Sequence, residues 1–546
     1  MASISHYTSE QIVRANAHFS STKTIIETAF YGNNVRYIND LQQAYQMAHD
    51  APNTIVLDQR ISHPEALGLD SDSRILVANG GAVVGRTAKA RRIRGNNPKE
   101  DKKIDAIIRE AIYQASFKPF IASQAVVGLD EHFMIKAHIM MPEMEINNLY
   151  SWLLNFQIVT ATYEEKYKTS LSYDENDIFV FFDPSWSHPD YPDGLAYFDT
   201  EHNVTAILGM NYFGEIKKGT LTLAWATAAR HQFVACHGGL KEFNKADTSY
   251  VASFFGLSGS GKSTLTHAKH DGKYDIRVLH DDAFVISMTD GSSIALEPSY
   301  FDKTNDYPAG HSEQDYFLTV QNCGVTRDHK GKRVLVTEDI RNGNGRTVKS
   351  RYATPNRVDY IDKGISSIFW IMKDDSLPPL VKVSDSLLAS ALGCTLMTKR
   401  SSAENVSGNL DTLVIVPYAN PFRIYPLEDD FTNFYHLFES GVDCYIINTG
   451  KYLDHDISKE TTLACIEAVV DDKASFTTFK HLKDFSYLDL ADFPVDEKNH
   501  SYLNLLKDRM ALRLSYLQDC QTDGTSNQLM KASISRLEEI VNTLTF

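Results

Sequence analysis

The chain has little that would tie it to a nucleic acid, a membrane or an oxidising compartment. Positive charge is in deficit, with 54 Lys and Arg against 70 Asp and Glu and a formal net charge of −16. A general nucleic-acid binder needs a basic footprint, so that class of partner is not expected. Long apolar runs are missing too: no stretch of about 18 apolar residues occurs, and no membrane partner is expected. Cysteine is scarce, at six in 546 residues (Cys236, Cys323, Cys394, Cys444, Cys465 and Cys520), with no C-x-x-C pair. Buried reduced thiols are the expectation. The opening Met1-Ala-Ser-Ile-Ser-His6 lacks a basic segment followed by an apolar one, so a secretory signal is not expected and a cytoplasmic location is. Internal repeats and low-complexity segments are absent as well.

What remains is an ordinary globular composition, 43% hydrophobic and 23% charged. A chain of 546 residues exceeds what one hydrophobic core holds, so two lobes are expected, 1–245 and 246–546. The polar stretch Lys241–Tyr250 is the expected junction. The first fifty residues read as helical, with Ser9 as a cap. Strands follow at Thr54–Leu57, Ile75–Ala78, Val126–Gly128, Asp177–Phe182 and Val204–Leu208. The turn-rich Asp183–Gly194 reads as a loop, and Asp339–Arg346 as a second, glycine-rich one. From about Asn504 two amphipathic helical patterns form a C-terminal cap. The class expected is α/β, with a mixed sheet in the C-terminal lobe.

The most informative residues are Gly256-Leu-Ser-Gly-Ser-Gly-Lys-Ser263, the phosphate-loop pattern G-x-x-x-x-G-K-[ST]. An apolar run, Val251-Ala-Ser-Phe-Phe255, leads in as a strand, and Ser263-Thr-Leu-Thr-His267 can open a helix. Glycines let the backbone curl until its N–H groups face an anion. The candidate nucleotide-binding set is therefore Gly256, Leu257, Ser258, Gly259, Ser260, Gly261, Lys262, Ser263 and Thr264. Lys262 would reach the β- and γ-phosphates, and the Ser263 hydroxyl would sit on Mg²⁺.

A second cluster surrounds this loop. Upstream lie Met210-Asn-Tyr-Phe-Gly-Glu-Ile-Lys-Lys-Gly219 and then His237. Downstream, Ile276-Arg-Val-Leu-His-Asp-Asp282 ends an apolar run in two carboxylates, followed by Glu297-Pro-Ser-Tyr-Phe-Asp-Lys-Thr304. His237 and Asp282 are ordinary ligands for a divalent ion such as Mn²⁺. In this order the motifs resemble the ATP-dependent phosphoenolpyruvate carboxykinases, from about Gly80 to Asp472, with the segments between them divergent.

The resemblance implies a two-lobed carboxykinase-like fold whose C-terminal lobe holds the phosphate loop and whose cleft joins the Tyr212–His237 segment to Lys262 and Asp282. It implies ATP as nucleotide, Mn²⁺ and Mg²⁺ as metal ions, and conversion of oxaloacetate to phosphoenolpyruvate, CO₂ and ADP, a step of gluconeogenesis. The metal ligands it implies are Lys218, His237, Asp282 and Ser263, and the catalytic groups Lys217, Lys218, His237, Asp281 and Lys262. Lys218 can ligate only as the neutral amine, so its pKa must fall beside Lys217 and a divalent ion. Planar arginines suit carboxylates, because they offer two parallel hydrogen bonds. Arg86 is the first such candidate; the second is Arg346 or Arg351, with Tyr352 as anchor. Tyr212 would hold a substrate carboxylate, and Lys218 would also face the substrate. Glu297, Lys303, His455 and Thr461 complete the nucleotide set, and 390–408 is the expected closing lid.

The chain departs from the family pattern at Ala283, usually acidic there, and at Phe213, which replaces a glycine and is expected to crowd the substrate side. Gly238-Gly239 replaces a Ser-Ala-Asn-like segment, and His455 stands where an arginine is usual. A kinase of the same fold acting on another acceptor is the alternative reading. A non-catalytic nucleotide-binding scaffold is a third, disfavoured because it has no need of a second metal. The loop carries no cysteine between Val251 and His267, which resembles the ATP-dependent rather than the GTP-dependent branch.

Overall fold

Strands that are apolar on both faces organise the chain in a computed structural model, which describes residues 3–78, 88–158, 161–246, 248–257, 259–338, 341, 343–399, 413–522 and 527–544. Two compact units result. The first comprises Met1–Thr227 with Ala295–Pro355, the second Ala228–Ile294 with Asn356–Phe546. Compared with one cut after residue 245, this division moves 228–245 into the second unit and 295–355 into the first. Of the stretch 241–250, residues 241–244 and 249–250 belong to two paired strands, Gly239–Asn244 antiparallel with Ser249–Phe255. Polarity misleads there because the polar groups are satisfied inside the fold: Glu242 accepts from Arg277 Nε at 2.6 Å and Ser249 Oγ at 2.5 Å.

The first unit holds an eight-stranded sheet. Its path runs Val35–Tyr37, Phe120–Asp130, Phe133–Pro142, Ile178–Asp183, Val204–Leu208, Leu195–Asp199 and Arg91–Ile93, with Gln157–Ile158 added beside Phe120–Asp130. Helices Ser21–Ala29 and Pro98–Ala115 lay Ile26, Ile104 and Ile108 on Phe120, Phe181 and Val204. A five-stranded sheet of the same unit is ordered Tyr300–Lys303, Arg346–Lys349, Phe317–Gln321, Arg74–Ala78 and Thr54–Arg60. The helix expected from Ser9 is a single turn, Ser9–Gln11. Ile12 and Val13 beyond it are exposed, so no buried face stabilises a longer helix.

The second unit is built on another eight-stranded sheet, ordered Asp275–His280, Gly239–Asn244, Ser249–Phe255, Ser367–Met372, Asp443–Asn448, Leu380–Val383, Phe485–Leu488 and Phe476–Thr478. Its three central strands are parallel, with Phe255 opposite Trp370 and Trp370 opposite Ile446. Covered on both faces, such strands read as continuous apolar runs, here Ser-Ile-Phe-Trp-Ile-Met372. A smaller sheet places Phe233–His237 beside Ala283–Ser287. The chain is of mixed α/β class. None of the six cysteines is in a disulfide, and five are buried. Among the described residues no helix is long and apolar enough to cross a membrane.

Of the C-terminal helices His500–Thr522 and Gln528–Thr543, the first carries a buried cation. Arg513 is fully buried and donates to Asp374 Oδ2 at 2.6 Å and to the Thr395 carbonyl at 2.6 Å. Removing one partner of such a pair strands the other charge in the core, which costs about 3–5 kcal/mol. Arg513→Ala is therefore expected to lower the urea-unfolding midpoint sharply, and the double variant with Asp374→Leu to recover much of that loss. Equal losses in both variants would contradict the stranded-charge account.

Candidate active site

The glycine loop leaves the C-terminal end of a central parallel strand, where open α/β sheets place their ligands. Ser249–Phe255 runs into Gly256, and the helix Lys262–His267 begins six residues later. Gly261 has φ +100°, a left-handed conformation that a side chain would strain. The loop is fastened to its surroundings, since Thr449 Oγ1 donates to the Ser260 carbonyl at 2.8 Å. Ser258 lies outside the described residues. Gly239 explains one departure noted above. A Cβ there would meet Thr266 Oγ1 at 1.8 Å, so only glycine lets the helix after the loop pack on this strand.

Pairing of the smaller sheet brings the second cluster together within this unit. His237 is opposite Ala283, and the Gly238 N–H donates to the Asp282 carbonyl at 3.1 Å. His237 Nδ1 donates to the Ala419 carbonyl at 2.6 Å, which turns the lone pair of Nε2 outward in the neutral ring. That nitrogen faces Asp282 Oδ1 at 3.0 Å, and Lys262 Nζ lies 3.5 Å from the same oxygen. Two lone-pair atoms at this separation are stable only with a proton or a cation between them. The donor set therefore fits a divalent ion, with imidazole and carboxylate as its ligands. Tyr418 and Ala419 both have positive φ, of 51° and 52°. Backbone strain of about 1–3 kcal/mol per residue is spent on aiming that carbonyl. Beside them, Asp281 is paired with His267 at 3.4 Å. Burial raises its carboxyl, but hydrogen bonding to His267 and the charges of His267, His280 and Lys262 outweigh this and hold it well below the usual range.

Behind the helix Lys262–His267 lies a cation that sequence reading missed. Lys241 is fully buried and donates to the carbonyls of Leu265 and Ala268, at 2.6 and 3.1 Å, and to His270 Nε2 at 3.0 Å. Burial pulls its pKa down to about 7 against a weaker opposing effect of Glu467. The unfolded value is about 10.4, so between the two the unfolded chain binds more protons and stability rises with pH. This contribution is fully present above the unfolded pKa and is lost as pH falls toward 7. Compared with Lys241→Met, the native chain should gain on the order of 2 kcal/mol between pH 7 and pH 9 in urea unfolding. A pH-independent difference would contradict the buried-lysine assignment.

In the first unit the helix Phe213–Arg230 carries the paired lysines. Lys217 is fully buried on Glu297 at 3.0 Å, and Glu297 also accepts from Asn155 Nδ2 at 2.6 Å. The place of Glu297 is thus against Lys217 and Asn155. Lys218 lies with its Nζ 5.6 Å from the Trp225 ring centre. Arg91 forms a buried ion pair with Glu215 at 2.7 Å and so anchors the first turn of this helix. Phe213 points into the core, edge-on to Phe301 at 5.1 Å, so its own packing removes the crowding expected of it. Tyr212 precedes the helix and is half-buried.

Of the two arginines, Arg346 is buried and paired in register with Lys303 across adjacent antiparallel strands. Burial, and then the charge of Arg346, lowers the Lys303 pKa. Two cations facing each other across strands leave room for an anion. Arg351 instead sits on a short turn, with Tyr352 stacked on His63 at 4.4 Å. Arg86 lies outside the described residues, as do Asp339, Ile340 and Asn342 of the glycine-rich loop. Of the expected lid, 400–408 also lies outside them. Its start completes the helix Ser386–Cys394 and the strand Met397–Lys399, which pairs with Leu413–Ile415. His455 is exposed on a hairpin springing from Thr449 and Gly450, and the Thr461 N–H donates to the cap Ser458 at 3.0 Å.

A family model described as phosphoenolpyruvate carboxykinase matches residues 49–494. The chain belongs to this family. Among similar proteins is the phosphoenolpyruvate carboxykinase (ATP) of Aeropyrum pernix, 26% identical over 308 residues, which cover 54% of this chain and 61% of that one. The glycosomal phosphoenolpyruvate carboxykinase (ATP) of Trypanosoma brucei brucei is 25% identical over 244 residues, 39% of this chain and 48% of that one. Phosphoenolpyruvate carboxykinase (ATP) 2 of Salinibacter ruber is 38% identical over 66 residues, 12% of each chain. The chain thus spans less than two thirds of the length of these relatives. The carboxykinase match includes the glycine loop, His237, Asp282 and the paired lysines, and it ends before the helices that carry Arg513. Within the matched region the sequence reading missed Ala419 and Thr449. Asn448-Thr-Gly450, directly after an apolar run, was a usable signal for Thr449; nothing local marked Ala419.

Proposed function

We propose that the chain is an ATP-dependent phosphoenolpyruvate carboxykinase, converting oxaloacetate and ATP to phosphoenolpyruvate, CO₂ and ADP. One observation carries this reading: the His237 lone pair aimed at Asp282, beside Lys262 of a glycine loop, in a chain of this family. A simple nucleotide-binding loop has no need of a second cation position there. Mg²⁺ at Ser263, and Mn²⁺ at His237 and Asp282, would neutralise charge on the transferred phosphoryl group and on the enolate oxygen.

The residues of the chain then divide the work. The loop amides and Lys262 hold the polyphosphate. Lys217 is held in place by Glu297. Arg346, with Tyr212 and Arg86, grips the carboxylates, and Lys303 adds a point charge. Breaking the C–C bond releases CO₂ and leaves its electron pair on the enolate of pyruvate. The enolate oxygen attacks the γ-phosphorus, and ADP departs.

The reverse reaction tests the reading. Phosphoenolpyruvate, bicarbonate, ADP and Mn²⁺ should yield oxaloacetate, read as NADH consumption through malate dehydrogenase. Loss of phosphoenolpyruvate without oxaloacetate would contradict it. With ATP and GTP compared at matched metal, higher turnover on ATP is expected, and a clear preference for GTP would overturn the nucleotide assignment.

A further inference from the structure

Lys373 belongs to no motif in the sequence, yet it follows directly on the central strand Ser367–Met372, parallel neighbour of the strand that feeds the glycine loop. Its Nζ donates to the Gly259 carbonyl at 3.2 Å. Its stem lies over Gly450, where a Cβ would meet Lys373 Cβ at 3.3 Å, so the glycine there makes room for it. Among the described residues Lys373 has no carboxylate partner. Burial lowers its pKa, and the charge of Lys399, on the strand at the lid's root, lowers it further. A half-buried ammonium beside a second cation, held only by one carbonyl, is electrostatically incomplete. The loop amides it borders are themselves anion-seeking. A tether that merely held the loop would not need a charge, and a neutral donor would avoid the cost of burying one.

We propose that Lys373 is a nucleotide-binding residue that contacts the polyphosphate of the bound nucleotide and adds a further lysine to the phosphate site beside Lys262. This deepens the reading of the loop as a nucleotide site and rests on it. Thr449 plays a different part: it fixes the Ser260 carbonyl and with it the loop's path, whereas Lys373 contributes charge.

The test is MgATP binding by calorimetry, with steady-state kinetics and thermal melting, on the full chain and on Lys373→Gln, Lys373→Arg and Lys262→Ala. A hydrogen bond to a charged group of this kind gives a Kd increase of roughly tenfold or more in Lys373→Gln. The same variant should raise KM for ATP more than it lowers kcat, melt normally without nucleotide, and bind ATP with a weaker salt dependence. Lys373→Arg should restore most of the affinity. Unchanged MgATP affinity in Lys373→Gln, with affinity lost in Lys262→Ala, would overturn the proposal and leave the nucleotide site standing. Weakened binding together with an equal loss of melting temperature without nucleotide, and no rescue by arginine, would reduce Lys373 to a structural tether and also overturn it. Full affinity in Lys262→Ala would overturn the nucleotide site itself, and the proposal with it.

Discussion

His237→Ala is expected to lower kcat by roughly a thousandfold, while the Kd for MgATP moves only a few-fold. The asymmetry follows from how the two functions are distributed. On the proposed reading ATP is held by the loop amides, Lys262 and Ser263, none of which the substitution touches. On that reading too, a cation held by His237 Nε2 and Asp282 Oδ1, 3.0 Å apart, would lose its nitrogen ligand, and the enolate its charge stabilisation. Loss of such a term raises a barrier by several kcal/mol. Because Nδ1 is committed to the Ala419 carbonyl, the ring has no second orientation from which to bind. Steady-state kinetics across a Mn²⁺ titration, with binding calorimetry alongside, separates the two effects. Near-normal activity with unchanged Mn²⁺ dependence would return His237 to the role of a packed histidine.

Lys262→Ala should act on both quantities. In the proposed site its ammonium is the charge the loop offers to the β- and γ-phosphates, so nucleotide binding should weaken by about one to two orders of magnitude, as for loss of a hydrogen bond to a charged group. Turnover falls further, by roughly a thousandfold, because charge accumulates on the γ-phosphoryl oxygens in the transition state. Asp282 also loses its neighbour at 3.5 Å, which leaves its carboxylate more dependent on a bound cation. The apparent Mn²⁺ requirement should therefore change in this variant as well. A loss confined to KM would contradict the role in phosphoryl transfer.

Much of this was legible in the chain. The strand into Gly256, the turn of glycines and the helix from Lys262 depend on local chemistry, and the structure has them where local chemistry puts them. Strands such as Val204–Leu208 declared themselves by mostly apolar runs, and the last helix, Gln528–Thr543, by its periodicity. Tertiary effects were not legible. Residues 241–250 look like a linker because they are polar, yet Lys241 and Glu242 are buried with partners from distant segments. Segment 295–355 packs with the first unit through strand pairing that no local pattern announces. Glu297 reads as a nucleotide ligand by its motif, and only the folded chain places Lys217 against it. Ala419 reaches His237 from 182 positions away, through a strained backbone on a residue with no chemical signature.

If the glycine loop and the His237–Asp282 pair serve one reaction on oxaloacetate, its products should appear together. Following ATP, oxaloacetate, Mn²⁺ and Mg²⁺ with the purified chain by ³¹P NMR, with CO₂ trapped in the same vessel, tests it most directly. Phosphoenolpyruvate, ADP and CO₂ should appear in equal amounts once CO₂ released without enzyme is subtracted. ADP and inorganic phosphate appearing without phosphoenolpyruvate or CO₂ would contradict this and point to a kinase of this family's fold with a different acceptor.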